Sequence, residues 1–88
     1  MNNNERDVRG LFTVLGINYS SRTEEALESI IGEKLDYEVL KYIILEEKSA
    51  LLNLAKKNMP QSYRFGALKI MVQNKYVGVK NALALLAD

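Results

Sequence analysis

The chain has 88 residues and contains neither cysteine nor histidine, so any chemistry falls to acids, lysines, arginines, tyrosines, hydroxyls and amides. This removes disulfides, thiolate nucleophiles, imidazole bases and the common zinc sites. A carboxylate pair remains formally open for acid–base or metal work. The acids, however, fall on periodic helix surfaces beside lysines or arginines, as on a solvated face. The expectation is therefore no enzyme, metal, cofactor or small-molecule substrate, because the groups usual in catalysis are missing. Binding to a macromolecule is the expected activity.

Two sets of polar side chains could carry such binding. The first is in the basic second half, where a helix-turn-helix fits in two registers. In one, "ALLNLAKKN" supports, "MPQ" turns and "SYRFGALKIMVQ" reads, with Gln61, Ser62, Tyr63, Arg64 and Lys69 as donors to base edges and phosphates. In the other, "FGALKIMVQN" supports and "VGVKNALALL" reads, with Lys75, Lys80 and Asn81 exposed. Short helices joined by tight turns occur in any small α protein, so the same pattern also fits a plain bundle. The second set is Tyr19, Tyr37, Tyr42, Tyr63 and Tyr76. Interleaved with basic residues these could stack on single-stranded bases; a half-buried ring with its hydroxyl at the surface is the commoner arrangement.

Net charge is +1, but it is unevenly spread. Residues 1–47 hold ten acids and five lysines or arginines, a net of −5; residues 48–88 hold seven against one acid, a net of +6. Either the two halves meet partners of opposite charge, or the bias reflects chance and complementarity to helix dipoles.

The elements that must position these residues read as helices. One domain spanning 1–88 is expected from the length, and 48% apolar with 26% charged residues suits a small packed core. No apolar run reaches the roughly 18–20 residues of a membrane span. The first residues lack the pattern of a signal peptide, so a cytoplasmic protein is expected. Asn2–Asn4 offers N-caps for a helix over about residues 4–16, ended near Gly16 and Asn18. Ser21 to Glu24 fits a capping box opening a second helix, with Leu27, Ile30, Ile31 and Leu35 inward and Gly32 weakening its end. Asp36 can cap a third, whose "YEVLKYIIL" is apolar nearly all round and marks the centre of the fold.

"EEKS" at 46–49 suggests a bend or break before "ALLNLAKKN", and Asn58 and Pro60 end that segment. Ser62 starts a further helix with Phe65, Leu68, Ile70, Met71 and Val72 as its apolar set. "VGVKNALALLAD" reads as a short last helix with Val79, Leu83 and Leu86 inward. The sum is an all-α bundle of five or six short helices with a C-terminal half that could form a helix-turn-helix.

The opening helix has one apolar face too many. Val8, Leu11, Phe12 and Leu15 make an i, i+3, i+4, i+7 stripe for the core. Gly10, Thr13, Val14 and Ile17 form a second seam beside it. Either the helix is sandwiched between two neighbours, or the seam accepts a partner helix, with Gly10 allowing close approach.

Met1-Asn2, Asn4, Val8-Arg9, Thr13-Val14 and Ile17 also resemble the opening of phage anti-sigma proteins of the AsiA type. "QSYRF" and "VGVKNAL" look like later segments of that family, whereas Gly10 and Asn18 depart from its pattern. The resemblance implies a small helical protein that binds the C-terminal promoter-recognition region of the bacterial primary sigma factor and blocks −35 recognition. It further implies that the free protein is a homodimer through largely the same face of helix 1, where Val14 and Ile17 lie. Tyr37 and Leu40, on the following helices, are candidates to complete the groove. The alternative is a helix-turn-helix DNA-binding regulator using Ser62, Arg64, Lys69, Lys75 and Lys80.

Overall fold

The computed structural model describes residues 3–87, so Met1, Asn2 and the chain's final Asp88, with the Asn2 cap and the Met1-Asn2 resemblance, lie outside it. Four helices make up the chain there: α1 (Asn3–Leu15), α2 (Ser21–Ile31), α3 (Tyr37–Lys56) and α4 (Gln61–Ala87). The all-α class holds, but the helices are fewer and longer than five or six. None is long and apolar enough to cross a membrane among the described residues.

α3 is the hub. It packs against both α1 and α4, while α2 packs on α4. Asp36 caps it through Oδ1, which accepts from the backbone N–H of Glu38 and Val39. Val39, Leu40, Ile43, Ile44 and Leu51 are buried along its length, against Val8, Phe12 and Leu15 of α1, Leu27 of α2, and Leu68, Val72 and Tyr76 of α4. The expected break at 46–49 is absent. Glu46 and Glu47 instead form the outer surface of a continuous helix, where both carboxylates take the Lys75 ammonium of α4.

The chain turns sharply at Gly16. Its backbone is left-handed (φ +68°), its N–H donates to Thr13 O at 3.0 Å, and the Ile17 N–H donates to Phe12 O at 2.9 Å. This paired closure satisfies two orphan carbonyls of α1 and drives the following apolar residue back against the helix. Ile17 is accordingly buried, which corrects its place on the outer seam: helical spacing carried it past a residue where the helix had ended. Asn58 (φ 57°) closes α3 in the same way, with its N–H on Ala55 O and that of Met59 on Leu54 O.

α2 opens one residue earlier than expected, with Ser20 as N-cap in a reciprocal capping box with Thr23. It stops at a left-handed Gly32. Leu35, placed on α2 by spacing, lies in the loop that follows and is buried there. The loop is tied at both sides: the Leu35 N–H donates to Glu28 Oε2 at 2.8 Å, and the Asp36 N–H to the Tyr76 hydroxyl at 2.8 Å.

α4 is one helix of 27 residues, which at 1.5 Å per residue is about 40 Å long. This removes the second helix-turn-helix register, because its turn falls inside continuous helix. The inner face carries Leu68, Val72 and Tyr76, then Val79 and Leu83 packed at the edge of the core. Ile70 and Leu86, expected inward, are exposed. Ile70 lies on the opposite face. Leu86 keeps the inner spacing but falls where α4 has outrun the helices that could cover it, since among the described residues from Asn81 onward Leu83 alone is partly covered.

Candidate interaction surface

The inner side of α1 is set by Val8, Phe12 and Leu15, all buried. Gly10, Thr13 and Val14 therefore face outward, and Val14 is 55% exposed. Gly10 and Val14, together with Arg6, Asp7 and Leu11, border α3, whose Lys41 and half-exposed Leu45 form the opposite wall. Arg6, Asp7, Gly10, Leu11, Val14, Lys41 and Leu45 enclose an open groove of about 490 Å³.

The groove is apolar along Leu11, Val14 and Leu45 and polar at one end. There Lys41 Nζ donates to Asn4 Oδ1 at 2.9 Å and lies 3.7 Å from Asp7 Oδ2. An apolar strip with a polar rim is the anatomy of a protein-recognition site. Thr13 is not in the lining; its hydroxyl donates to Arg9 O at 3.1 Å.

Gly10 has no structural reason to be glycine. A Cβ built there meets nothing within 4 Å, and its backbone is ordinary helix. Glycine in a helix interior costs about 0.5–1 kcal/mol relative to alanine. Gly10→Ala should therefore raise the stability of the isolated protein by that amount in urea unfolding. A fall in stability would show an internal contact at Gly10 instead.

The other seam candidates do not reach the groove. Leu40 is fully buried at the α3 hub, correcting its assignment to a partner surface: α3 turns that side to its own neighbours. Tyr37 is half-buried at the start of α3, and its hydroxyl donates to Glu24 Oε2 at 2.9 Å. The Tyr19 hydroxyl donates to the same oxygen at 2.5 Å, while its ring meets Phe12 edge-on at 5.0 Å beneath the Arg9 guanidinium. Burial, and then the bond to Glu24, push the Tyr37 hydroxyl up to about 12 and Tyr19 also upward. Both groups thus stay protonated donors at neutral pH. The stability they add is complete below pH 10 and is lost as pH rises through the raised Tyr37 value.

The basic half is engaged internally. Arg64 turns inward, with Nε on Met59 O at 3.1 Å and Nη1 on Leu15 O at 2.6 Å, so it caps the C-terminal carbonyl of α1. Beside it, Gln61 Oε1 accepts the Asn18 N–H at 2.8 Å. Lys75 pairs with Glu46 and Glu47, and Lys80 with Glu33 at 2.6 Å. These carboxylates hold both ammonium groups above the ordinary lysine value. Lys69 lies over the Phe65 ring at 5.4 Å. Of the residues offered to nucleic acid, Ser62, Tyr63 and Asn81 are exposed without such a contact among the described residues.

The opposite charges of the two halves therefore meet each other in part. Sequence reasoning missed Arg6, Asp7, Leu11, Lys41 and Leu45 in this groove. Leu11, placed in the core stripe, packs on the core by one side only and lines the groove by the other, and "YEVLKYIIL" gives no sign that Leu45 is left outside. Compared with known protein families, curated proteins and solved structures, the chain finds no match.

Proposed function

We propose that this protein is a transcription-modulating binding protein. In this reading the α1–α3 groove receives the C-terminal promoter-recognition region of a bacterial primary sigma factor and keeps it from −35 DNA. The observation that carries the proposal is the open apolar groove in which Gly10 and Val14 of α1 meet Leu45 of α3. A glycine that lowers helix stability, with no packing role of its own, makes sense where another backbone approaches closely. The N-terminal resemblance to AsiA-type anti-sigma proteins adds the identity of the partner, and its Thr13-Val14 pair stands on the exposed side of α1. The DNA-binding alternative draws less support, because Arg64, Lys75 and Lys80 already hold partners within the fold.

The test is calorimetric titration with the isolated C-terminal region of a primary sigma factor. Val14→Lys places a positive charge in the last turn of α1, where the helix dipole favours it, so the fold should persist. Its ammonium group blocks the apolar wall. Binding should weaken at least about tenfold, equivalent to about 1.4 kcal/mol. Unchanged affinity in Val14→Lys, or no binding by the parent protein at micromolar concentration, would overturn the assignment.

A further inference from the structure

The outer face of α4 is a second apolar surface, distinct from the groove. Tyr63, Ile70 and Val77 follow one another at seven-residue steps and are 55%, 60% and 69% exposed; Ala84 continues the series beside Leu85, which is 77% exposed. A strict seven-residue apolar repeat keeps a line of side chains facing one partner helix over several turns. The residues between them on this face are Gly66, Ala67, Gln73, Asn74 and Asn81. None is charged.

All four cations of α4 turn away from it. Arg64 reaches Leu15 and Met59, Lys69 lies over Phe65, Lys75 joins Glu46 and Glu47, and Lys80 joins Glu33. An uncharged helical face more than five turns long is unusual on a chain whose residues are 26% charged.

We infer that this face binds a second copy of the same chain, with the two α4 helices antiparallel. A surface without charge can meet itself with no like-charge repulsion. The residue sizes are also self-complementary about a two-fold axis between Gln73 and Asn74. Ile70 then falls opposite Val77, Tyr63 opposite Ala84, and Gly66 opposite Asn81, so the two β-branched side chains meet each other and the large ring meets a small residue. Ser62, Tyr63, Gly66, Ala67 and Ile70 already form a shallow hollow of about 390 Å³ that the partner's Leu85 end can enter. The Gln73 and Asn74 amides meet at the axis, where they can bond across it.

Residues 63–85 span about 33 Å of helix. Two such helices in contact bury on the order of 1,000 Å² in total, near the lower bound for a specific interface. An interface at that small end suits a dimer that exchanges with monomer. It leaves the α1–α3 groove uncovered, so dimerisation and partner binding use separate surfaces, in contrast to the homodimer through helix 1 that the AsiA-type resemblance implies.

Sedimentation equilibrium of the full chain from 1 to 500 µM tests this, with circular dichroism as the check on folding. The parent protein should pass from monomer to dimer across the series. Ile70→Glu and Val77→Lys, both at exposed sites, should each stay helical and monomeric. Mixed in equal amounts they should re-form a dimer, because position 70 faces position 77 only in the antiparallel arrangement. Val14→Lys should dimerise like the parent. A parent monomeric throughout, or a dimer that survives Ile70→Glu but is lost in Val14→Lys, overturns the inference. Failure of the two variants to pair overturns its antiparallel form.

Discussion

Phe12→Ala is expected to lower stability by about 3–5 kcal/mol, the range for emptying a buried aromatic site. Phe12 is fully buried, meets the Tyr19 ring edge-on, and lies at the position of α1 that takes the apolar residue after a left-handed helix stop, here Ile17. Removing the ring thus undercuts the α1 core contact and the α1–α2 turn together. Small domains hold only about 5–15 kcal/mol in total, so this one change removes a large share. In urea the midpoint should fall sharply with the slope unchanged, since the same surface is exposed on unfolding. Val14→Ala, two residues further along the same helix, should move stability by no more than about 0.5 kcal/mol. A loss below about 1 kcal/mol for Phe12→Ala would contradict the packing described.

Arg64→Ala is expected to cost about 2–4 kcal/mol: two bonds to a charged donor sum to about 3–6 kcal/mol, and at this part-exposed site water takes up some of the freed carbonyl capacity. The guanidinium holds the end of α1 and the α3–α4 turn at once, through Leu15 O and Met59 O. Lysine cannot replace it, since one ammonium lacks the planar fork that spans both carbonyls.

Gly16 gives an independent check. A Cβ there would lie 2.8 Å from Arg64 Nη1, on a backbone at φ +68°. Gly16→Ala should therefore destabilise through both a clash and left-handed strain. In the Arg64→Ala background only the strain, about 1–2 kcal/mol, should remain. The two changes together should cost less than their sum by at least about 0.5 kcal/mol, as expected of residues in contact. Strict additivity in denaturant melts would show that Arg64 does not press on Gly16.

Much of this architecture was legible where one residue type had one plausible use. Asp36 before a long apolar run read as a cap, and of the stripe Val8, Leu11, Phe12 and Leu15 three are buried while Leu11 is left part-exposed at the groove. Legibility failed where a pattern had two solutions. α4 is apolar on both sides, so Ile70 looked like core and the helix divided naturally into two. Ile17 kept helical spacing with Val14 after the helix had stopped, and only the sign of φ at Gly16 separates the two readings. Glu46 and Glu47 looked like a break because their partner, Lys75, is 29 residues away from Glu46. Arg64, Lys75 and Lys80 looked like donors for a ligand, because a sequence states charge but not direction. Gly10 was legible as an anomaly, and it keeps that status: the fold makes no use of it.

The pairing of Lys75 with Glu46 and Glu47, and of Lys80 with Glu33, also governs how fast this molecule meets others. Opposite charges in direct contact cancel within a few ångströms, so the field reaching solvent is much weaker than the −5 and +6 of the two halves suggest. A protein partner then arrives with weaker electrostatic steering than the raw charges suggest, and with association rate constants below the about 10⁸–10⁹ M⁻¹s⁻¹ of strongly steered pairs. Lifetime, set by apolar contact along Val14 and Leu45, becomes the quantity that decides how long the groove stays filled.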